Sequence, residues 1–276
     1  MKKITKAMIF AAGFGKRLVP LTEKTPKSLL QLNGKTLLEN CILFLEDCGI
    51  KEIVINVHHL ADQIIEFINK SKFKSKIHVS HEKEKILGTG GGLIHAKNNI
   101  KNFFQSGESF IAINPDTLWN SNYISEFNIL AEWHFKCKEA EFILLLVPKK
   151  NCYEIEEQGD FDLKYPTDDK DSGHITTGVS GKQYPWLPEI GFVEKNNINN
   201  YIYTGLQIVR IKGELYNGKK VLGLDFDNHN ERDFWTINEN WEKHGHLYGY
   251  SSKQKFYHIS NLETFNNLKK EKIITY

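Results

Sequence analysis

Runs of apolar residues alternate with stretches of helical periodicity along the first half of the chain. Short apolar runs bounded by polar residues or glycine are typical of strands buried on both faces of a sheet. They predict strands at residues 7–12, 52–57, 77–80, 110–114 and 141–147. Apolar residues spaced three and four apart predict intervening helices at residues 37–45, 64–68, 91–103 and 123–137.

This alternation predicts an α/β fold, a Rossmann-like and mostly parallel sheet with helices on both faces. The pattern changes after about residue 150. Residues 149–200 are rich in Asp, Gly, Asn, Lys and Pro, which predicts loops and short strands over one edge of the sheet. Residues 201–210 then predict one more strand, and residues 262–268 predict a C-terminal helix.

Length and composition narrow the class of protein. A chain of 276 residues can form one large α/β domain with a core that needs no disulfide or metal. The net charge of +2 is too small to favour binding to nucleic acid or a membrane surface. No apolar run approaches about 20 residues, and the start of the chain makes a poor signal peptide. We therefore expect a cytoplasmic protein that binds no membrane.

The segment of residues 11–30, AAGFGKRLVPLTEKTPKSLL, carries the strongest chemical signal. Gly13 and Gly15 let the backbone approach a ligand closely, with N–H groups pointing outward. Arg17 and Lys27 add two cations, and arginine can bind a phosphate through two parallel hydrogen bonds. A strand followed by a glycine turn and two cations predicts a binding site for a triphosphate.

Two better-known phosphate motifs do not fit this segment. A dinucleotide fingerprint needs a glycine at position 18, which is Leu18. A P-loop ending at residues 34–36 needs its first glycine at position 29, which is Leu29. We interpret residues 34–36 as a turn that enters the helix at Thr36.

Two later segments add polar groups at places where α/β proteins bind ligands. Four glycines in the five positions 88–92 favour neither helix nor strand, so we expect the backbone there to approach a ligand closely. Asp116 follows a predicted buried strand, and α/β sheets bind ligands beyond the carboxyl ends of their strands.

Residues 11–30, with Pro20, Thr22 and Pro26 at their spacings, resemble the N-terminal signature of the sugar nucleotidyltransferase family, also called nucleoside-diphosphate-sugar pyrophosphorylases. The resemblance implies that Arg17, Lys27 and Asp116 are catalytic. It also implies the fold of nucleotide-diphospho-sugar transferases, with the glycine turn on the NTP phosphates and Glu82 and Gly88 at the base. The nucleotide-binding residues implied are Ala11, Ala12, Gly13, Gly15, Glu82, Gly88 and Thr89.

The family's sugar-side and metal-side segments are matched less completely. The sugar-binding residues implied by the resemblance are Asn114, Asp160, Glu194, Lys195, Thr204 and Gly205. Asp116 matches a carboxylate that binds Mg²⁺, although Pro115 replaces the usual glycine before it. His258 replaces a second metal-binding aspartate. Either Asp116 holds Mg²⁺ with the NTP phosphates and water, with His258 in another role, or His258 is a ligand.

Within the family, the chain looks most like short bacterial N-acetylmuramate-1-phosphate uridylyltransferases, which serve peptidoglycan recycling. This implies UTP and a sugar 1-phosphate as partners, and one nucleotidyltransferase domain over residues 1–276. Residues 1–150 would form the nucleotide-binding half, and residues 151–276 the sugar-binding half with the C-terminal helix. Mannose- or heptose-1-phosphate guanylyl transfer, transfer to phosphocholine, and nucleotide-sugar binding without catalysis remain alternatives. Oligomeric state and the role of residues 164–192 stay open.

Overall fold

A computed structural model describes residues 3–105, 107–138, 140–154, 158–165, 187–196, 198–211, 220–221, 224–225 and 247–271. Nine strands of this part form one sheet. They are β1 (Lys6–Phe10), β4 (Glu52–Val57), β5 (Lys76–His81), β6 (Ser109–Ile113), β7 (Phe142–Pro148), β8 (Asp162–Lys164), β9 (Ile190–Glu194), β10 (Tyr201–Arg210) and β13 (Leu247–Ser251). Two short pairs lie outside it, β2 (Gln31–Leu32) with β3 (Lys35–Thr36) and β11 (Lys220–Val221) with β12 (Leu224–Asp225).

The order of strands across the sheet is β5-β4-β1-β6-β10-β7-β13-β9-β8. The pairs from β5 to β6 are all parallel, as is the pair β7 and β13. β10 runs antiparallel to both of its neighbours, and β9 does the same. The carboxyl ends of β4, β1 and β6 therefore lie side by side, and the side of the sheet that they form is its carboxyl edge.

Six helices accompany the strands in the described part of the chain. They are α1 (Leu21–Lys24), α2 (Leu37–Asp47), α3 (Ala61–Lys70), α4 (Gly88–Asn99), α5 (Asn122–Lys136) and α6 (Leu262–Lys270). The Thr36 hydroxyl accepts a hydrogen bond from the Glu39 N–H at 3.0 Å and caps α2. Thr36 therefore leads into the helix as the sequence predicts, whereas the turn lies at Asn33 and Gly34 and Lys35 already belongs to β3.

Alternate residues of each central strand pack into two separate cores. Ile9, Ile55 and Ile113 face one side, where α2, α3 and α5 cover the sheet. Met8 and Ala112 face the other side, where α4 covers it. Side chains of a strand point to opposite faces, so helices on both sides require strands that are apolar throughout. The predicted α/β architecture, a mostly parallel sheet flanked by helices, is confirmed.

One expectation from the sequence needs correction. Residues 88–90 were expected to lie outside the helix predicted from residue 91, whereas α4 begins at Gly88. Within the mostly parallel sheet, β10 runs antiparallel to β6 and β7, and β13 pairs with β7 in parallel. Residues 149–200 do supply short edge strands, β8 and β9, as predicted. Residues 166–186 of the stretch 164–192 lie outside the described residues.

None of the helices in the described part of the chain combines the length and apolar character that a membrane crossing requires.

Candidate active site

The turn that follows β1 is fixed by close packing at Gly15. This residue has a φ of 63°, in the left-handed region that favours glycine. A Cβ atom at this position would lie 2.8 Å from Thr22 Cγ2 and 3.1 Å from Lys27 Cβ. The Thr22 hydroxyl also donates a hydrogen bond to the Gly15 carbonyl at 2.9 Å. The glycine turn and Lys27 are therefore parts of one packed unit.

A buried polar network connects this turn to the segment before α4. Asn56 accepts a hydrogen bond from the Ala11 N–H at 2.8 Å, and its amide donates one to Glu82 at 2.7 Å. The second carboxylate oxygen of Glu82 accepts one from the Leu87 N–H at 2.9 Å. The Glu82 side chain is thus satisfied by protein partners, and the residue is only 1% exposed. Glu82 does not line the cleft that opens beside the glycine turn, so the structure does not support a direct contact between its carboxylate and a base.

The glycines of α4 bring this helix close to the same network. A Cβ atom on Gly92 would lie 2.7 Å from Asn56 Nδ2 and 2.7 Å from Glu82 Oε1. Gly88 has a φ of 72°, and it lines the cleft with Thr89. Gly92 therefore lies close to protein side chains, whereas Gly88 faces the cleft beside the glycine turn.

Lys27 and Asp116 form an ion pair at the carboxyl edge of the sheet. Lys27 Nζ donates a hydrogen bond to Asp116 Oδ2 at 2.6 Å, and each side chain is 19% exposed. Burial raises the pKa of Asp116, but the charge of Lys27, the nearby His258 and the hydrogen bond from Lys27 outweigh it and lower the pKa to about 2. Asp116 is therefore ionised at neutral pH.

The backbone holds His258 beside Asp116. Leu118 donates a hydrogen bond to the Tyr257 carbonyl and Ile259 donates one to the Asp116 carbonyl, both at 2.9 Å, around a bridge between Thr117 and His258. His258 Nδ1 lies 3.7 Å from Asp116 Oδ1. Burial lowers the pKa of His258 and the cations Lys27 and Arg17 lower it further, although Asp116 opposes them. The imidazole is therefore neutral at pH 7.

These two residues fit a cation that also binds phosphates. Asp116 Oδ1 is buried and has no hydrogen-bond partner among the described residues. The described part of the chain contains no group of three or more His, Cys, Asp and Glu side chains that could hold a metal ion. Mg²⁺ is commonly bound by one or two carboxylates together with substrate phosphates and water. The orphan oxygen of Asp116 provides one such ligand.

The glycine turn, the ion pair and the start of α4 enclose a cleft of about 360 Å³. Ten residues implied by the resemblance line it: Ala11, Ala12, Gly13, Gly15, Arg17, Lys27, Gly88, Thr89, Asn114 and Asp116. Eight further residues that were not predicted as site residues also line it: Phe10, Lys16, Leu18, Ser28, Asn56, Ile86, Pro115 and Ser260. Ser28 could have been found, because it directly follows Lys27. Its buried hydroxyl has no hydrogen-bond partner among the described residues.

A second cleft of about 690 Å³ adjoins the first and shares Arg17 and Ser260 with it. Asp160 and His258 line this second cleft, together with aromatic residues that include Tyr203. Asp160 accepts a hydrogen bond from the Tyr203 N–H at 2.9 Å. The structure therefore places two of the predicted sugar-side and metal-side residues next to the first cleft.

Thr204 and Gly205 support the wall behind Asn114. The buried Thr204 hydroxyl donates a hydrogen bond to the Leu145 carbonyl at 2.8 Å. Gly205 has a φ of 84° at an irregularity of β10, and a Cβ there would lie 3.0 Å from Asn114 Cβ. These two residues shape the site from beneath, while Asn114 lines the cleft.

Glu194 and Lys195 lie farther along the sheet. Glu194 ends β9 and pairs with Asp162 of the edge strand β8. Lys195 Nζ lies 5.7 Å from the centre of the Phe161 ring. Neither residue lines the two clefts. The structure does not bring this predicted sugar-binding pair together with Lys27 and Asp116.

Comparison with known protein families places this cleft in context. The model of the nucleotidyl transferase family matches residues 6–152, which is more than half of the 276-residue chain. The chain belongs to the nucleotidyl transferase family. The matched segment contains the glycine turn, Lys27, the polar network and Asp116, and every residue that lines the first cleft except Ser260 lies within it.

Curated relatives of this nucleotidyl transferase match over limited lengths. The chain is 37% identical over 123 residues to the N-acetylmuramate alpha-1-phosphate uridylyltransferase of Neisseria meningitidis, covering 44% of this chain and 51% of the relative. It is 53% identical over 58 residues to the choline-phosphate cytidylyltransferase of Streptococcus pneumoniae, covering 21% of this chain and 25% of the relative. The matches thus span about half and a quarter of these relatives.

A solved structure of UDP-glucose pyrophosphorylase complexed with UDP-glucose matches the whole fold. The superposition has a TM-score of 0.68, covers 97% of both chains and shows 14% sequence identity. At that identity the similarity establishes the fold of this nucleotidyl transferase and nothing about its substrates.

Proposed function

We propose that the protein transfers a nucleoside monophosphate from an NTP to a sugar 1-phosphate and releases pyrophosphate. The observation that carries the proposal is the Lys27–Asp116 ion pair, held in one cleft with the glycine turn after β1. Backbone N–H groups and cations suit a triphosphate, and the carboxylate suits a cation that accompanies it. The family match to residues 6–152 supports the same assignment.

The reaction would be a single in-line displacement. An oxygen of the sugar 1-phosphate forms a bond to the α-phosphorus of the NTP, and the bond from that phosphorus to the bridging β-phosphate oxygen breaks. Pyrophosphate leaves with the electron pair of the broken bond. Such transfers depend on positioning and charge stabilisation, with little covalent chemistry from the protein.

Residues of this chain would supply both requirements. The N–H groups of the Gly13–Gly15 turn and the Arg17 guanidinium would bind the phosphates of the NTP. Lys27 would offset the negative charge that builds up at the reacting phosphate, since a preorganised cation stabilises such a transition state. Asp116, which is already ionised, orients the Lys27 ammonium through their 2.6 Å hydrogen bond.

Mg²⁺ would be held by Asp116, together with the phosphates, and when bound it supplies charge neutralisation at the phosphate oxygens. We also propose the division of labour expected from the sequence. Residues 1–150 would bind the nucleotide, and residues 151–276 would bind the sugar. The second cleft, with Asp160 and Tyr203, is where we place the acceptor.

For the substrates, we propose UTP and N-acetylmuramate 1-phosphate. The support is the Neisseria relative of that name, which is 37% identical over 123 residues. The test is pyrophosphate release by the purified protein with UTP, GTP, CTP or dTTP and the 1-phosphates of N-acetylmuramate, mannose, glucose and N-acetylglucosamine. Release with UTP and N-acetylmuramate 1-phosphate alone supports the proposal, and release with another sugar overturns only the choice of substrate.

A second candidate is cytidylyl transfer to phosphocholine. It is favoured by the 53% identity over 58 residues with a choline-phosphate cytidylyltransferase. The second cleft is also lined by the carboxylates Glu154, Asp160 and Glu263 and by Phe256 and Tyr203, and carboxylates and aromatic faces attract a quaternary ammonium group. Adding CTP with phosphocholine to the same panel separates the two. Pyrophosphate release with that pair and none of the sugars would overturn the sugar proposal.

A further inference from the structure

A carboxylate oxygen of Asp116 and an imidazole nitrogen of His258 lie close together where the two clefts meet. The carboxylate oxygen Oδ1 lies 3.7 Å from the imidazole Nδ1. Ligands that occupy neighbouring positions about 2.1 Å from one metal ion lie roughly 3.0–3.5 Å apart. A small side-chain rotation would therefore let both atoms bind one ion.

The second oxygen of Asp116 is not available for the same purpose. Oδ2 is engaged by Lys27 Nζ at 2.6 Å, whereas Oδ1 has no hydrogen-bond partner among the described residues. The protein therefore offers one oxygen and one nitrogen to the ion. The backbone bonds that flank Thr117 and His258 keep these two donors next to each other.

Imidazole and carboxylate differ in the metals that they favour. Mg²⁺ prefers oxygen ligands, whereas first-row transition metals also accept imidazole nitrogen, and their affinity for a site with nitrogen and oxygen ligands rises from Mn²⁺ to Co²⁺. We propose that Asp116 and His258 form a mixed oxygen–nitrogen site that binds Mn²⁺ or Co²⁺ in preference to Mg²⁺. The inference rests on the proposed function in one respect, because the NTP phosphates supply the remaining ligands.

Neighbouring cations make this site dependent on the nucleotide. Lys27 contacts Asp116 directly, and Arg17 lines both clefts beside His258. Their positive charges oppose a bare divalent ion, and the triphosphate would offset this repulsion. We therefore expect Mn²⁺ to bind weakly to the protein alone and tightly in the presence of an NTP.

The test is electron spin echo spectroscopy of Mn²⁺ added to the full chain with each of the four NTPs. Direct binding of an imidazole gives a modulation from its ¹⁴N nucleus, and this modulation should be present in the wild-type complex. It should disappear in His258→Ala and His258→Asp. It should persist in His95→Ala, which removes a histidine that pairs with Ser80 outside both clefts.

A competition between Mn²⁺ and Mg²⁺ provides the second readout. The ratio of their dissociation constants should shift toward Mg²⁺ by at least about tenfold in His258→Asp, because oxygen replaces nitrogen. Circular dichroism would verify that each variant is folded, and His258→Asn repeats the test if His258→Ala does not fold.

Several outcomes would overturn the proposal. They are a wild-type complex without ¹⁴N modulation, a metal ratio unchanged in His258→Asp, and absence of Mn²⁺ binding with all four nucleotides. A protein that shows the modulation but releases no pyrophosphate would retain the metal site and refute the proposed reaction.

Discussion

At the scale of single residues, the site depends on charges brought together from distant parts of the chain. Lys27 and Asp116 are 89 positions apart, yet their side chains meet at 2.6 Å. The ammonium of Lys27 lowers the pKa of Asp116, so this partly buried carboxylate keeps its negative charge. Loss of either member would therefore leave the other without its partner of opposite charge.

We predict that Lys27→Ala or Asp116→Ala lowers turnover by at least about a hundredfold, the size of effect seen when one preorganised charge is removed. Lys24→Ala is the matched control, because Lys24 is exposed on α1 and does not line the cleft. Steady-state pyrophosphate release checks the prediction. Turnover near wild type in both site variants would contradict the roles proposed for them.

The residues of the site differ in how far the sequence could reveal them. Gly13, Gly15, Arg17 and Lys27 fall within one contiguous segment, so spacing alone indicates their shared site. Asn56 carries no such signal, since its importance comes from hydrogen bonds to the Ala11 N–H and to Glu82 on separate elements. A side chain that connects three segments can be recognised only when their packing is known.

At the scale of elements, α4 shows packing overriding intrinsic propensity. Glycine is about 1 kcal/mol less favourable than alanine inside a helix, so a cluster of glycines does not favour the start of one. α4 nevertheless begins at Gly88. At Gly92 only a glycine fits, because Asn56 and Glu82 occupy the space that a Cβ would need. The sequence records the need for small residues here, but the reason for it lies in another element.

This reverses the usual effect of replacing glycine by alanine in a helix. We predict that Gly92→Ala lowers the free energy of unfolding by about 1–3 kcal/mol, the usual cost of overpacking, because two atoms lie 2.7 Å from the new Cβ. Asn98→Ala, at an exposed position of the same helix, is the control and should leave that free energy unchanged or raise it slightly. Urea unfolding of both variants measures the difference, and an equally stable Gly92→Ala would refute the packing argument.

Strand direction was the other feature of the elements that the sequence did not show. An apolar run indicates a strand buried on both faces, and it is the same whether the strand runs up or down. Residues 201–210 were predicted as a strand with the correct bounds, yet β10 lies antiparallel between β6 and β7. The direction is decided by the path of the chain between elements, which periodicity does not record.

At the scale of the whole molecule, the C-terminal helix stabilises the N-terminal segment that builds the site. Phe265 and Leu268 of α6 pack with Leu18, Leu30 and Leu118 in one apolar cluster. Leu18 and Leu30 belong to the segment that carries Arg17 and Lys27. The helix was predicted from its sequence, but its partner was not, because a contact between the two ends of the chain leaves no local pattern.

We predict that Leu268→Ala lowers the free energy of unfolding by about 2–5 kcal/mol, since the side chain is fully buried, and also weakens NTP binding. Lys269→Ala, an exposed neighbour, should change neither quantity. Chemical denaturation and titration calorimetry with UTP, GTP, CTP and dTTP measure the two effects. Unchanged nucleotide affinity in a destabilised Leu268→Ala would contradict the prediction that the packing of α6 supports NTP binding.

The place of β13 in the sheet has a consequence for how the protein is made. β9, at residues 190–194, has β13 as its inner neighbour, and β13 is not complete until residue 251. While the chain is still on the ribosome, β4, β1 and β6 can pair as soon as they emerge. β9 must wait for more than fifty further residues before its position in the sheet exists. Synthesis therefore separates two stages of assembly. The early stage pairs the strands around the glycine turn after β1, and the late stage adds β9 and β8 at one side of the sheet.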